Sequence, residues 1–154
     1  MSSPKPAAAI DIQDQPGHLI RRANQIAVSV FHETLGREVT PVQYAVLRTL
    51  QDRPGIDQVT MAQHVALDTS TAADIAARLE TKGWITRQVV ARGQRDLRLT
   101  PAGEALLASM VPAMSEMQNT LLGTLTEQER HDLMLLLRKF VTANNGRSRA
   151  PMRG

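Results

Sequence analysis

The 154-residue chain contains no cysteine, which excludes disulfides, thiolate metal sites and thiol-based redox sensing together. Aromatic side chains are scarce: Trp84, Tyr44, Phe31 and Phe140 are all of them. A core drawn instead from Leu, Val, Ile, Ala and Met favours packed helices over a β-sandwich. No apolar run approaches the ~20 residues that span a bilayer. The start, "MSSPKPAAAIDIQ", lacks the apolar stretch of a secretory signal, so a soluble, cytoplasmic chain is expected. Catalytic constellations are missing too. His18, His32, His64 and His131 lie in separate segments, without an HExxH, a Gly-rich phosphate loop or a GxSxG. His18 and His32 share a helix face but stand about four turns apart, too far to hold one metal. Neither an enzyme nor a metal or cofactor site is expected.

What is present reads as one domain, since domains of about 100 to 150 residues are commonest. Residues 1–15 mix Pro, Ser, Ala and acids without periodicity, and residues 144–154 are polar and basic; both are expected to be disordered tails. Between them, "TPVQ" at 40, "TMAQ" at 60 and "TEQE" at 126 place Thr at an N-cap with Gln or Glu at the third helical position. Such pairs satisfy the orphan backbone donors of a helix start. "TPAGE" at 100 adds a Thr cap followed by Pro at the first helical position. Helices are therefore expected to begin near 41, 61, 101 and 127, with another over about 17–35.

Within "LDTSTAADIAARLETKGW", residues 67–84, Ala72, Ile75, Ala76 and Leu79 fall at i, i+3, i+4 and i+7 and share one helix face. Gly83 suits the left-handed position that ends a helix. The period then changes: "WITRQVV" and "DLRLT", joined by "ARGQR", read as a β-hairpin. From 85 to 99 this hairpin carries Arg87, Arg92, Arg95 and Arg98 against one acid, Asp96. Arginines on a protruding hairpin after a helix-turn-helix pattern are suited to neutralising phosphates or entering a minor groove.

The outer helices carry more apolar surface than a small domain can cover. Leu19, Ala23, Ile26 and Val30, with Ile20, Ala27, Phe31 and Leu35, cover much of the first helix. Leu106, Met110, Ala113, Met114, Met117 and Leu121 form one C-terminal stripe, and Leu133, Leu137, Phe140 and Val141 another. These faces point to a C₂ homodimer, with helices 17–36 and 101–143 as the dimerisation region. A self-contained monomeric bundle is the alternative. Pro112 is expected to kink or break the fifth helix near Val111.

"VTPVQYAVLRTL", "TMAQHVALDTSTAADIAARLETKGWI" and "LTPAGEALL", in this order and spacing, resemble the MarR family of bacterial transcription regulators over about residues 17–143. The resemblance implies a mainly α fold, a winged helix-turn-helix over about 40–100 within an interlocked helical homodimer. Helix 61–67 would support recognition helix 70–82, and the hairpin would be the wing. It implies a regulator of double-stranded DNA, commonly a repressor of a pseudo-palindromic operator released by a small aromatic or phenolic acid. The chain departs from the family where an Asp-x-Arg pair often marks the wing tip: Arg92 fits, but Ala91 stands near the usual acid. Asp74 also replaces a residue that is often basic.

On this resemblance the DNA-binding candidates are Thr69, Ser70, Thr71, Asp74, Arg78, Arg87, Arg92 and Arg95. The three hydroxyls at the helix start would donate to phosphates or base edges. Asp74 either pairs with Arg78 one turn on or accepts a hydrogen bond from a cytosine amino group. The effector candidates are His18, Arg21, Arg22, Gln25 and Tyr44, with arginine matching a carboxylate bidentately and Tyr44 stacking on a ring. A winged-helix module that binds proteins and no operator is the alternative function.

Overall fold

The computed structural model describes residues 8–148 and 150–153. Helix α1, Pro16–Leu35, is followed by α2, Pro41–Asp52, the short strand β1, Ile56–Asp57, and α3, Gln58–His64. Helix α4, Thr69–Thr81, then leads into strands β2, Ile85–Val89, and β3, Arg95–Leu99. The chain finishes with α5, Pro101–Leu121, and α6, Glu127–Ala143.

Three of the four helix starts form as their sequences dictate. Thr40 and Gln43 make a reciprocal capping box, as do Thr126 and Glu129, and the Thr100 side chain accepts from the Gly103 amide ahead of Pro101. The start expected near 61 differs. Helix α3 begins at Gln58, and Asp57 caps it by accepting from the Val59 and Thr60 amides. Thr60 lies inside the helix, its hydroxyl donating to Asp57 at 2.5 Å. A carboxylate offers more lone pairs than a hydroxyl, so Asp57 takes both orphan amides and the hydroxyl as well.

Helix α4 buries Ala72, Ala76 and Leu79 completely, and its end is a Schellman motif. The Gly83 amide donates to Glu80 O at 2.9 Å and the Trp84 amide to Leu79 O at 3.1 Å, with Gly83 at φ 78°. That geometry needs the left-handed region glycine tolerates best. The chain emerges aimed along β2. β3 pairs antiparallel with β2 on one side and with β1 on the other, giving the order β1-β3-β2. In that register Asp57 faces Asp96. The two acids coexist because Asp57 is committed to α3 while Asp96 accepts from Arg98 at 2.9 and 3.2 Å.

Val46, Leu47, Met61 and Leu97 are fully buried between α2, α3, α4 and the sheet, each such side chain contributing about 1.5–3 kcal/mol. The core continues along α5, where Leu107, Met110 and Met117 are buried and α1 packs against it. The α5 methionine stripe is thus largely covered by its own chain, where it had been counted as surplus. Helix α5 is unbroken through Pro112, so the break expected near Val111 does not occur. Pro112 removes one backbone donor from the helix ladder without ending it, with Met110 and Met117 buried before and after it.

Residues 8–15, 144–148 and 150–153 carry more structure than their composition suggests. Turns of 3-10 helix form at Ile12–Asp14 and Asn145–Arg147. The first is capped by Asp11 and the second region is tied by Asn145 to Met152. Asx side-chain bonds of this kind need no apolar periodicity, so composition does not reveal them. Residues 1–7, within the expected N-terminal tail, and residues 149 and 154 of the C-terminal one lie outside the described residues.

Candidate nucleic-acid interface

Opposite the buried face of α4, Ser70, Asp74 and Arg78 form an exposed stripe at i, i+4 and i+8. Asp68, the N-cap, accepts the Thr71 amide at 2.7 Å and the Thr71 hydroxyl at 3.0 Å. Thr71 is therefore occupied in capping the start of the helix, and Thr69 and Ser70 are the hydroxyls exposed there. Among the described residues the ion pairs are Arg48–Asp52, Arg87–Glu80 and Arg98–Asp96. The Asp74–Arg78 pair is not formed, so both side chains face outward without each other.

The hairpin arginines divide into two groups. Arg87 lies against α4, its Nη2 3.1 Å from Glu80 Oε1 and its side chain only 15% exposed. Its hydrogen bond holds the Glu80 carboxyl below the ordinary carboxylate range. Arg87 thus fastens the wing to the end of α4 instead of presenting a cation to a partner, because strand alternation turns it inward between exposed Thr86 and Gln88. Arg92 and Arg95 occupy the exposed tip. Arg92 adopts φ 64°, an uncommon conformation for a side-chain-bearing residue, in a tip closed by the Val90 amide donating to Gln94 O at 2.7 Å. The tip and α3 together line a cleft of about 490 Å³ containing Asp57, Thr60, Gln63, Arg92 and Arg95.

A second cleft, of about 260 Å³, opens between α2 and α5 and is lined by Tyr44, Arg48, Gln51, Leu107, Met110 and Met114 among others. Tyr44 is held edge-on to Phe31, with ring centroids 6.2 Å apart. Arg48, one turn after Tyr44, pairs only loosely with Asp52 at 3.7 Å and also donates to Gln51. Of the expected effector residues, only Tyr44 lines this cleft. His18, Arg21, Arg22 and Gln25 lie on the first half of α1, where Arg21 approaches His18 Nδ1 at 3.2 Å and Arg22 donates to Gln13 at 3.4 Å. Within one chain they do not join Tyr44, since Phe31 meets Tyr44 at the far end of the helix. Arg48 was missed by the sequence reading, although its i, i+4 spacing from Tyr44 places both on one face of α2.

Two helices joined by a tight turn, an exposed polar stripe on the second and a cationic hairpin beside it define a winged helix-turn-helix regulator. The sequence profile of the MarR family matches residues 39–91. The chain is 33% identical over 108 residues to the transcriptional regulator HosA of Escherichia coli, a match spanning 69% of this chain and 80% of HosA. It is 27% identical over 146 residues to the transcriptional repressor NicR of Pseudomonas putida, spanning 93% and 92% of the two chains. Among solved structures, Bordetella bronchiseptica BpsR, described for the regulation of its DNA binding by 6-hydroxynicotinic acid, superposes with a TM-score of 0.81 at 30% identity, over 88% of this chain and 99% of that one. The chain belongs to the MarR family and is a DNA-binding transcriptional regulator, not an enzyme. No helix among the described residues is long and apolar enough to cross a membrane.

Proposed function

We propose that the chain acts as a homodimeric repressor of a pseudo-palindromic operator and that a small aromatic or phenolic acid releases it. The observation that carries the dimer is α6. None of its residues is buried, yet Leu135, Leu136, Leu137, Phe140 and Val141 are 51%, 64%, 46%, 52% and 61% exposed. Leu19, Ile20 and Ile26 add an apolar face on α1. A helix with this much uncovered hydrocarbon is stable when a second copy covers it. In the dimer the two α4 helices would enter successive major grooves about 34 Å apart. Thr69, Ser70, Asp74 and Arg78 would face base edges, and Arg92 and Arg95 the phosphates. With Arg78 not engaged, the reading of Asp74 as a cytosine acceptor is favoured over the helix-pair reading.

The α2–α5 cleft suits the effector: Arg48 supplies a carboxylate partner, Tyr44 a ring face, and Leu107, Met110 and Met114 an apolar wall. His18, Arg21, Arg22 and Gln25 would contribute only in a site completed by the second protomer. Recovery of a duplex from a randomised pool, followed by titration with benzoic, hydroxybenzoic and hydroxynicotinic acids, tests this reading. Release by at least one such acid is expected, as is its loss in Arg48→Ala with DNA binding retained. Failure to recover any preferred duplex would favour a winged-helix module that binds protein alone.

A further inference from the structure

After Asp132 the sequence holds Arg138, Lys139, Arg147, Arg149 and Arg153 and no acid. The end of this cationic segment is folded back. Asn145 Nδ2 donates to Met152 O at 2.7 Å, and the Met152 amide donates to Asn145 Oδ1 at 2.9 Å, closing a loop. The Arg153 amide then donates to Gln63 O at 2.8 Å, which docks the loop on the end of α3. Asn144, Asn145 and Pro151 are half-buried by this arrangement, while Arg147 and Arg153 are exposed. Their guanidinium groups make no hydrogen bond or ion pair among the described residues.

The docking point decides what these arginines can meet. Gln63 lines the α3 cleft together with Arg92 and Arg95 of the wing tip. A few residues further on lie Thr69 and Ser70 at the start of α4. A cationic segment fixed beside both DNA-facing elements is placed to neutralise backbone phosphates.

We propose that residues 145–148 and 150–153 belong to a C-terminal arm, clamped by Asn145 and docked on Gln63, that carries Arg147 and Arg153 onto the phosphate backbone flanking the site read by α4. The arm rests on the DNA-binding reading above. Its contribution is independent of base sequence and dependent on salt.

The test uses the full chain and the duplex it selects from a randomised pool, with binding measured across a salt series. Each phosphate contact adds about 0.9 to the slope of log K against log salt, so Arg147→Ala with Arg153→Ala is expected to lower it by about 3 to 4 for a dimer. Base preference and melting temperature should stay as in the parent chain. Asn145→Ala keeps every charge but frees the loop, and is expected to weaken binding to the same duplex at fixed salt. An unchanged slope or tighter binding in the double variant, or unchanged affinity in Asn145→Ala, overturns the arm while the regulator reading stands. If the parent chain selects no duplex, the regulator reading falls and the arm with it.

Discussion

Gly103 supports a quantitative test of how the wing is joined to α5. It sits in the first turn of α5 directly against the Trp84 peptide. A Cβ added there would lie 2.1 Å from Trp84 O and 3.1 Å from its carbonyl carbon. The carbonyl cannot retreat freely, because it accepts the Thr100 amide at 3.0 Å while the Thr100 hydroxyl donates to the adjacent Gly83 O at 2.6 Å. Overpacking of this kind costs about 1–3 kcal/mol, and a weakened buried hydrogen bond adds about 0.5–1.5 kcal/mol. The better helix propensity of alanine returns at most about 1 kcal/mol. Gly103→Ala is therefore expected to lose about 2–3 kcal/mol, or about 5–10 °C in melting temperature for a chain of this size. The assay is thermal unfolding at one fixed protein concentration, since oligomers melt with concentration. Gly17→Ala is the control: nothing lies within 4 Å of its added Cβ, so its melting point should hold or rise. Parent-like melting of Gly103→Ala would refute the close approach.

Ala66, in the turn between α3 and α4, holds φ 56°, which costs about 1–2 kcal/mol for a residue with a Cβ. Ala66→Gly should gain about 0.5–1 kcal/mol after the greater unfolded-state entropy of glycine is subtracted; a lower melting temperature would contradict this. Asp57 is held below its ordinary pKa first by the Thr60 hydroxyl and then by the Thr60 and Val59 amides, against an opposing effect of burial. A lowered folded pKa gives stability that is present above the ordinary carboxylate value and lost as pH falls through the folded one. Asp57→Ala should thus cost about 1 kcal/mol at neutral pH, and the gap to the parent chain should close below about pH 4 in denaturant titrations; a gap that widens there would be inconsistent with the cap. Replacing Asp74 by Ala should redistribute base preference in a binding selection more than it changes affinity, and an unaltered preference would remove Asp74 from base readout.

The legible parts of the fold were those written in local chemistry. Thr40 with Gln43 and Thr126 with Glu129 announce their helices because the capping atoms lie three residues apart, and Gly83 announces the end of α4 because its backbone is left-handed. Strand β1 stayed hidden since two residues carry no period, and its Asp57 was overlooked as a cap because Thr60 completed a competing pattern. Side-chain partners were less readable than elements. Arg87 looks like its neighbours on the hairpin, yet the strand's alternation and Glu80 in the last turn of α4 turn it inward. Arg48 escaped notice because the cleft beside Tyr44 exists only when α5, some sixty residues later, packs across α2. The surplus apolar surface was legible as a total; which helix retained it, α6 more than α5, depended on tertiary contacts.

The most direct test of the account is the mass of the chain alone and in complex with its selected duplex, measured by sedimentation or native mass spectrometry alongside a footprint. The account predicts two copies of the 16.9 kDa chain in both states and two protected half-sites about 10 base pairs apart. Phe140→Glu, placed on the exposed face of α6, should lose both together. A monomer that protects a single site with parent-like affinity would contradict the dimeric regulator.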